Sequence, residues 1–380
     1  MTAVCYADYN ATTPLDPGVL AAMQPFWGAV WGNPSSIHSI GRQARAVLDD
    51  CRYRLARAWR SQPGEVVFTS GGSESNCLAI LGTARRKKEQ GRHLVTTAIE
   101  HPSVREPFRH LARNEGFELT EIGVDHHGVV RLEELEAALR PDTVLVSVMA
   151  ANNEVGTVQP VADVGRLCRQ RGIVFHTDAA QALGKLPFAG MPQFEADLVT
   201  VCAHKFHGPK GSGALYVRSP GSLWPLVTGG GQENERRAGT ENLAGIVGLV
   251  EAFERFVVEP VFPVAELRGW TESLVADLTA LPGVTHRGHP TQRLPNTISI
   301  TVNFSDSLAF LANLDLEGVC ASSGSACSVG ALEPSHVLRA MGVPEAECRA
   351  LVRFSFGRET TAAEVQKIGI LFRRVAERLR

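Results

Sequence analysis

Between about residues 65 and 218 short β-rich runs alternate with stretches of helical apolar spacing, and no other feature limits the fold so strongly. The runs at 65–70, 93–98, 117–122, 143–149, 173–177, 197–202 and 213–217 predict strands. The stretches 75–86, 103–113, 132–139 and 161–171 repeat their apolar residues at a period near 3.6 and predict helices. Gly172 is placed to stop the last of these before Ile173 opens a strand. Strand–helix–strand units bring parallel neighbours together, so the fold class is α/β: a mostly parallel, mixed sheet with helices on both faces. The link between the last two runs is too short for a helix, which predicts one antiparallel strand.

A chain of 380 residues exceeds what one core usually fills. After residue 256 the pattern changes. A linker at 259–263 precedes a helix near 264–280, a strand at 297–302, a helix at 306–314 and a small-residue loop holding Cys327. Thr361-Ala-Ala-Glu364 is a capping box, and Val365, Ile368, Phe372, Val375 and Leu379 form one apolar stripe behind it. The expected division is a large domain over 16–258 and a smaller α+β domain over 259–380. An N-terminal segment, 1–15, is expected to pack with the smaller one.

Composition removes several function classes. Lys plus Arg number 38 against 40 Asp plus Glu, so the surface is not one built for nucleic acid or an anionic membrane. No apolar run reaches the ~18–20 residues of a membrane span. The first ten residues lack the features of a signal peptide, and a cytoplasmic location is expected. Eight cysteines, none in a C-x-x-C pair, suit neither a disulfide scaffold nor a zinc or iron–sulfur cage. Cys51, Cys77 and Cys168 fall in helical patterns as apolar filler. Cys327 instead sits in Ser322-Ser-Gly-Ser-Ala-Cys-Ser328, a loop of small residues, and is a candidate nucleophile.

In open parallel sheets ligands bind beyond the carboxyl ends of the strands. Three predicted ends carry unusual residues. The first runs into Gly71-Gly-Ser-Glu-Ser-Asn76 and a helix, an anion cup or an ordinary capped turn. The second is His176-Thr-Asp-Ala-Ala-Gln181, where Asp178 is a helix cap or a carboxylate awaiting a cation. The third is His204-Lys-Phe-His-Gly-Pro-Lys210, where Lys205 is a surface residue or an amine at the site. No third ligand joins His204 and His207 at fitting spacing, so no metal is expected. A cup, a carboxylate and an amine together are what pyridoxal phosphate needs: one for its phosphate, one for its ring nitrogen, one for covalent attachment.

With these motifs stand Tyr9-Asn-Ala-Thr-Thr-Pro14, Glu100-His-Pro102, Ala151-Asn-Asn-Glu-Val-Gly156, Arg236-Arg-Ala-Gly-Thr-Glu-Asn242, Leu332-Glu-Pro-Ser-His336 and Arg353-Phe-Ser355. In order and in content the set resembles the cysteine desulfurases of the NifS/IscS group, pyridoxal-phosphate enzymes of fold type I in the class-V aminotransferase family. The resemblance implies a homodimer that turns L-cysteine into L-alanine and leaves a persulfide on Cys327. The sulfur then passes to an acceptor protein of iron–sulfur assembly or another carrier. It also implies residue roles. Lys205 holds the cofactor and moves the Cα proton, Asp178 meets the ring nitrogen, and Gln181 donates to the ring oxygen. His101 stacks on the ring and takes protons from the substrate thiol. Gly72, Ser73, Cys202 and His204 fall at the phosphate, as does Thr240 from the other subunit. Asn153 and Arg353 grip the substrate carboxylate, which suits a planar guanidinium. The chain stops at Arg380, without the extension by which housekeeping members dock a scaffold protein. An aminotransferase or selenocysteine lyase on the same fold, or a non-catalytic assembly partner, remains open at this stage.

Overall fold

The computed structural model describes residues 4–218, 223–258, 263–324 and 334–380. A two-residue strand, β1 (Cys5–Tyr6), is followed by two short helices, Pro17–Met23 and Pro25–Gly28, and a long helix, α1 (Ser39–Trp59). The alternation then follows as β2 (Val66–Thr69), α2 (Gly72–Lys87), β3 (His93–Thr97), α3 (Pro102–Asn114), β4 (Glu118–Ile122) and α4 (Leu132–Ala138). It continues as β5 (Thr143–Ser147), α5 (Val161–Gln170), β6 (Val174–Asp178), β7 (Leu198–Cys202) and β8 (Gly213–Val217). All seven expected strands of this stretch form. Gly172, at φ 68°, ends the α5 region: its N–H meets Arg169 O at 3.2 Å, and that of Ile173 meets Cys168 O at 3.0 Å.

The seven strands make one sheet in the order β2-β8-β7-β6-β5-β3-β4. Only β8 runs against its neighbours, antiparallel to both β2 and β7. The other pairings are parallel. The carboxyl ends of β2, β3, β5, β6 and β7 therefore open on one edge of the sheet. Every residue of β3, β5, β7 and β8 is buried, as expected of strands covered on both faces. On one face α1 meets α6 (Leu243–Phe253). Trp59, fully buried, sets its ring edge-on to Tyr216 and Phe253, with centroids 6.0 and 6.1 Å away.

The remainder includes α7 (Val264–Thr279), β9 (Val284–His286), β10 (Thr297–Val302), α8 (Ser307–Leu316), β11 (Val319–Cys320), β12 (Leu351–Ser355) and α9 (Ala362–Leu379). Strands β12, β10 and β9 form an antiparallel sheet in that order. The capping box starts α9: Glu364 Oε2 accepts from Thr361 N–H at 2.8 Å, and Thr361 Oγ1 accepts from Glu364 N–H at 3.3 Å. Its stripe is buried up to Val375 and half-buried at Leu379, with Phe372 against Phe310 and Phe354 at 4.7 and 6.3 Å between centroids.

Strand pairing also joins the two ends of the chain. β1 pairs in parallel with β11, and Asp8 bridges to Ser355 in β12. Asn10 N–H donates to Ser355 Oγ at 2.9 Å, which pins residues 8–12 across the open edge of the large sheet. Among the described residues no helix is long and apolar enough to cross a membrane.

Candidate active site

The strand ends at the open edge surround a cavity of about 420 Å³. From β2 and α2 come Gly72 and Ser73, at a helix start whose first N–H groups have no intrahelical partners and suit an anion. Gly213 of β8 lies directly behind this turn, where a Cβ would stand 2.6 Å from Gly71 Cα. Glu74 accepts from Ser70 N–H and from Arg237 Nε, each at 2.8 Å. Burial works against its charge, but those bonds outweigh it and hold the carboxyl below the usual range.

At the end of β6, Asp178 Oδ2 accepts from Asn76 Nδ2 at 2.7 Å and Oδ1 from Ala180 N–H at 2.9 Å. Two donors thus offset the desolvation of a carboxylate that is 7% exposed. Gln181 lines the same cavity, and its Nε2 donates to Asn10 O at 3.0 Å. Beyond β7, Cys202 and the turn Ala203–Lys205 add Cys202, His204 and Lys205. Lys205 Nζ donates to the carbonyls of Asn10 and Ala11, both at 2.7 Å. Burial, followed by the Lys205 charge, brings His204 down to about 4, so its ring is neutral. Burial likewise pushes the Cys202 thiol up, which leaves it a weak S–H group rather than a thiolate.

Past β3, His101 caps α3. Its Nδ1 accepts from Ser103 N–H at 3.1 Å and lies 2.7 Å from Ser103 Oγ. Burial lowers its pKa, and because Nδ1 accepts, the neutral ring carries its proton on Nε2. The adjoining Glu100 is fully buried and pushed up to about 8 by desolvation; its Oε1 accepts from Thr97 Oγ1 and Met149 N–H. The acid is therefore protonated at neutral pH.

Arg353 of β12 closes the other side. One nitrogen donates to Asn153 O at 2.9 Å and to Gly324 O at 2.5 Å, and the other pairs with Asp8 Oδ1 at 2.7 Å. Its buried Nε has no hydrogen-bond partner among the described residues. Asn153 also lines the cavity.

Two residues expected at the site are not brought to it by this chain's described residues. Thr240 is exposed and does not line the cavity. Cys327 lies outside the described residues. Conversely, the sequence reading assigned no role to Asn10, Asn76 or Lys185. Asn76 sits four residues beyond Gly72 on α2, a helical spacing that could have placed it beside the cup.

The residues present fit pyridoxal phosphate. A helix start faces the cavity where a phosphate needs N–H donors, and a held carboxylate and a lysine share it. Asn76 Oδ1 and Arg353 Nε, both buried and both on residues lining the cavity, have no protein partner among the described residues.

The model of the family "Aminotransferase class-V" matches residues 5–368. "Cysteine desulfurase IscS" of Dictyoglomus turgidum is 42% identical over 376 residues, 99% of this chain and 95% of that protein. Among solved structures, a "NIFS-like protein" superposes with a TM-score of 0.92 at 36% identity, covering 99% of this chain and 100% of that one. "SspA in complex with cysteine" superposes with a TM-score of 0.83 at 35% identity, over 94% and 99% of the two chains. A cavity built as described, in a chain matched over nearly its whole length, belongs to a fold-type I, pyridoxal-phosphate-dependent member of the cysteine desulfurase family.

Proposed function

We propose that the chain takes sulfur from L-cysteine, forming L-alanine and a persulfide on Cys327, with the residues of the cavity in the roles that follow. The observation that carries this reading is the meeting of Lys205, Asp178, the Gly71–Ser73 helix start and Arg353 around one cavity. Pyridoxal phosphate, when bound, supplies an electron sink for the charge left at the substrate Cα. Gly72 and Ser73 would hold its phosphate beside Cys202 and His204, Asp178 its ring nitrogen, Gln181 its ring oxygen and Lys205 its aldehyde carbon.

Arg353 and Asn153 bind the substrate carboxylate and so set which Cα–H bond faces Lys205. Lys205 removes and returns protons at that carbon. His101 moves a proton at the substrate sulfur. To take one from the thiol, its ring must hold the other tautomer, with the proton on Nδ1 donated to Ser103 Oγ and Nε2 bare. The Cys327 thiolate attacks that sulfur: an S–S bond forms, the Cβ–S bond breaks, and its electron pair stays with the carbon fragment, which is protonated to alanine.

The working form we propose is a homodimer in the cytoplasm, serving a sulfur acceptor protein of iron–sulfur assembly or another carrier. Thr240 is exposed and does not line its own chain's cavity, and it would contact the phosphate bound by the partner subunit. Exposed Trp27, Trp31 and Ile37 give such a dimer apolar surface to cover. We read residues 16–258 as the large domain and 259–380 as the small one, with 1–15 packing on the latter.

The test uses L-cysteine labelled at sulfur. Wild type should show visible cofactor absorbance that changes on adding cysteine, make alanine, and carry label that a reductant removes. Cys327→Ser should still give the absorbance change but carry no label. Equal alanine formation by both proteins, or a protein that stays colourless with added pyridoxal phosphate, would reject the reading.

A further inference from the structure

Lys185 is one of the largest fully buried side chains of the molecule, yet it lies outside the cavity lining. It stands four residues after Gln181, in a segment coiled tightly enough that Leu183 N–H reaches Ala179 O at 3.0 Å. Its Nζ donates to Asn10 Oδ1 at 2.9 Å and to Gln181 Oε1. Gln181 Nε2 in turn donates to Asn10 O, the carbonyl that also accepts from Lys205 Nζ. One buried amine thus touches both Gln181 and Asn10, the residue whose carbonyl accepts from the Lys205 amine.

The contacts restrict how Gln181 can sit. The two ends of a glutamine amide have nearly the same shape, so packing alone does not choose between them. Here the amine supplies an N–H to Oε1, and Nε2 is left to face Asn10 O. An amide turned end for end would set N–H against N–H and put two oxygens together at Asn10. Asn10 is held as firmly: its Oδ1 also accepts from Asn296 Nδ2 at 3.3 Å, and its Nδ2 donates to Thr297 Oγ1 at 3.0 Å. Burial, with Lys205 and Arg353 nearby, drives the Lys185 pKa well down. The two oxygens each take one of its N–H groups.

We infer that Lys185 is a positioning residue of the active site, one that fixes the Gln181 amide and the Asn10 side chain so that Gln181 Nε2 and Lys205 Nζ meet the cofactor in a single arrangement. The inference rests on the reading of Gln181 as the donor to the cofactor ring oxygen. It assigns Lys185 no contact with substrate or cofactor.

The experiment is a double-mutant cycle of wild type, Lys185→Met, Gln181→Leu and the double variant. The readouts are the absorption maximum of the bound cofactor and the affinity of the apoprotein for pyridoxal phosphate. Each single change should shift the band and weaken binding about tenfold, and the double variant should be no worse than Gln181→Leu. A structural role alone would lower the melting temperature and leave the band in place, and that result overturns the inference. Independent, additive shifts overturn it too. An unchanged band in Gln181→Leu by itself refutes the Gln181 reading, and the inference falls with it; a wild-type Lys185→Met beside a shifted Gln181→Leu refutes the inference alone. Should Lys185→Met fail to fold, Lys185→Gln takes its place. Its side chain is one atom shorter and stays polar, so a smaller shift is expected, again one that Gln181→Leu abolishes.

Discussion

At the scale of single residues the site depends on charges that burial makes costly and that specific donors make tolerable. Asp178 is kept by Asn76 Nδ2 and Ala180 N–H. Asp178→Asn preserves the shape and removes the charge, so hydrogen exchange at the substrate Cα should slow by about 10²-fold while cofactor affinity changes little. Exchange measured by incorporation of solvent deuterium checks this; an unchanged rate would place the partner of the ring nitrogen elsewhere. Glu100 shows the opposite case. Desolvation raises its pKa to about 8 in the folded protein, against an unfolded value near ~4.3. The folded state therefore binds more protons between those values. The stabilisation is full below the unfolded pKa and is lost as pH rises through about 8. Glu100→Gln keeps an acceptor for Thr97 and Met149 and cannot ionise. Relative to wild type, its melting temperature should rise by a few degrees between pH 5 and pH 8.5. A gap that stays constant across that range would mean that Glu100 does not titrate with folding.

At the scale of elements the cup owes its shape to the strand behind it. A Cβ on Gly213 would come within 2.6 Å of Gly71 Cα and 2.8 Å of both its carbonyl carbon and Val201 O, all backbone atoms with little freedom to yield. Gly213→Ala should cost about 1–3 kcal/mol of stability and weaken binding of pyridoxal phosphate, as read by denaturant unfolding and by titration of the apoprotein. Wild-type affinity would show that the cup does not lean on β8. This dependence also marks the limit of what was legible in the sequence. The seven strands and the α9 stripe were legible because burial imposes local periods on them. The reversal of β8 followed from a short link, but its insertion between β2 and β7 did not, since strand order is set by contacts far apart in the chain. The same holds for residues. Lys205, Asp178 and the glycines stand at strand ends and could be read there. Asn10 and Lys185 join the site only through the pairing of the chain's two ends and through a turn packed under Gln181, and neither leaves a local pattern.

At the scale of the whole molecule the open question is which subunit completes each site. Thr240 is exposed on its own chain, and the role proposed for it is in trans, at the phosphate bound by the partner subunit. An aspartate there would set a carboxylate against the phosphate, so Thr240→Asp should lose most cofactor affinity, and Lys205→Ala should lose turnover by removing the amine. In a dimer containing one copy of each variant, one site inherits both defects. The other takes Lys205 from the Thr240→Asp subunit and Thr240 from the Lys205→Ala subunit, and so has neither. Random reassociation makes half the dimers mixed, so unfolding and refolding an equal mixture should recover about a quarter of wild-type activity, although each parent has almost none. If Thr240 served its own chain, every site in the mixed dimer would keep one defect and the mixture would stay as inactive as its parents. Sedimentation of the refolded mixture confirms that dimers have formed, so an inactive dimeric mixture would count against the shared site and not against refolding.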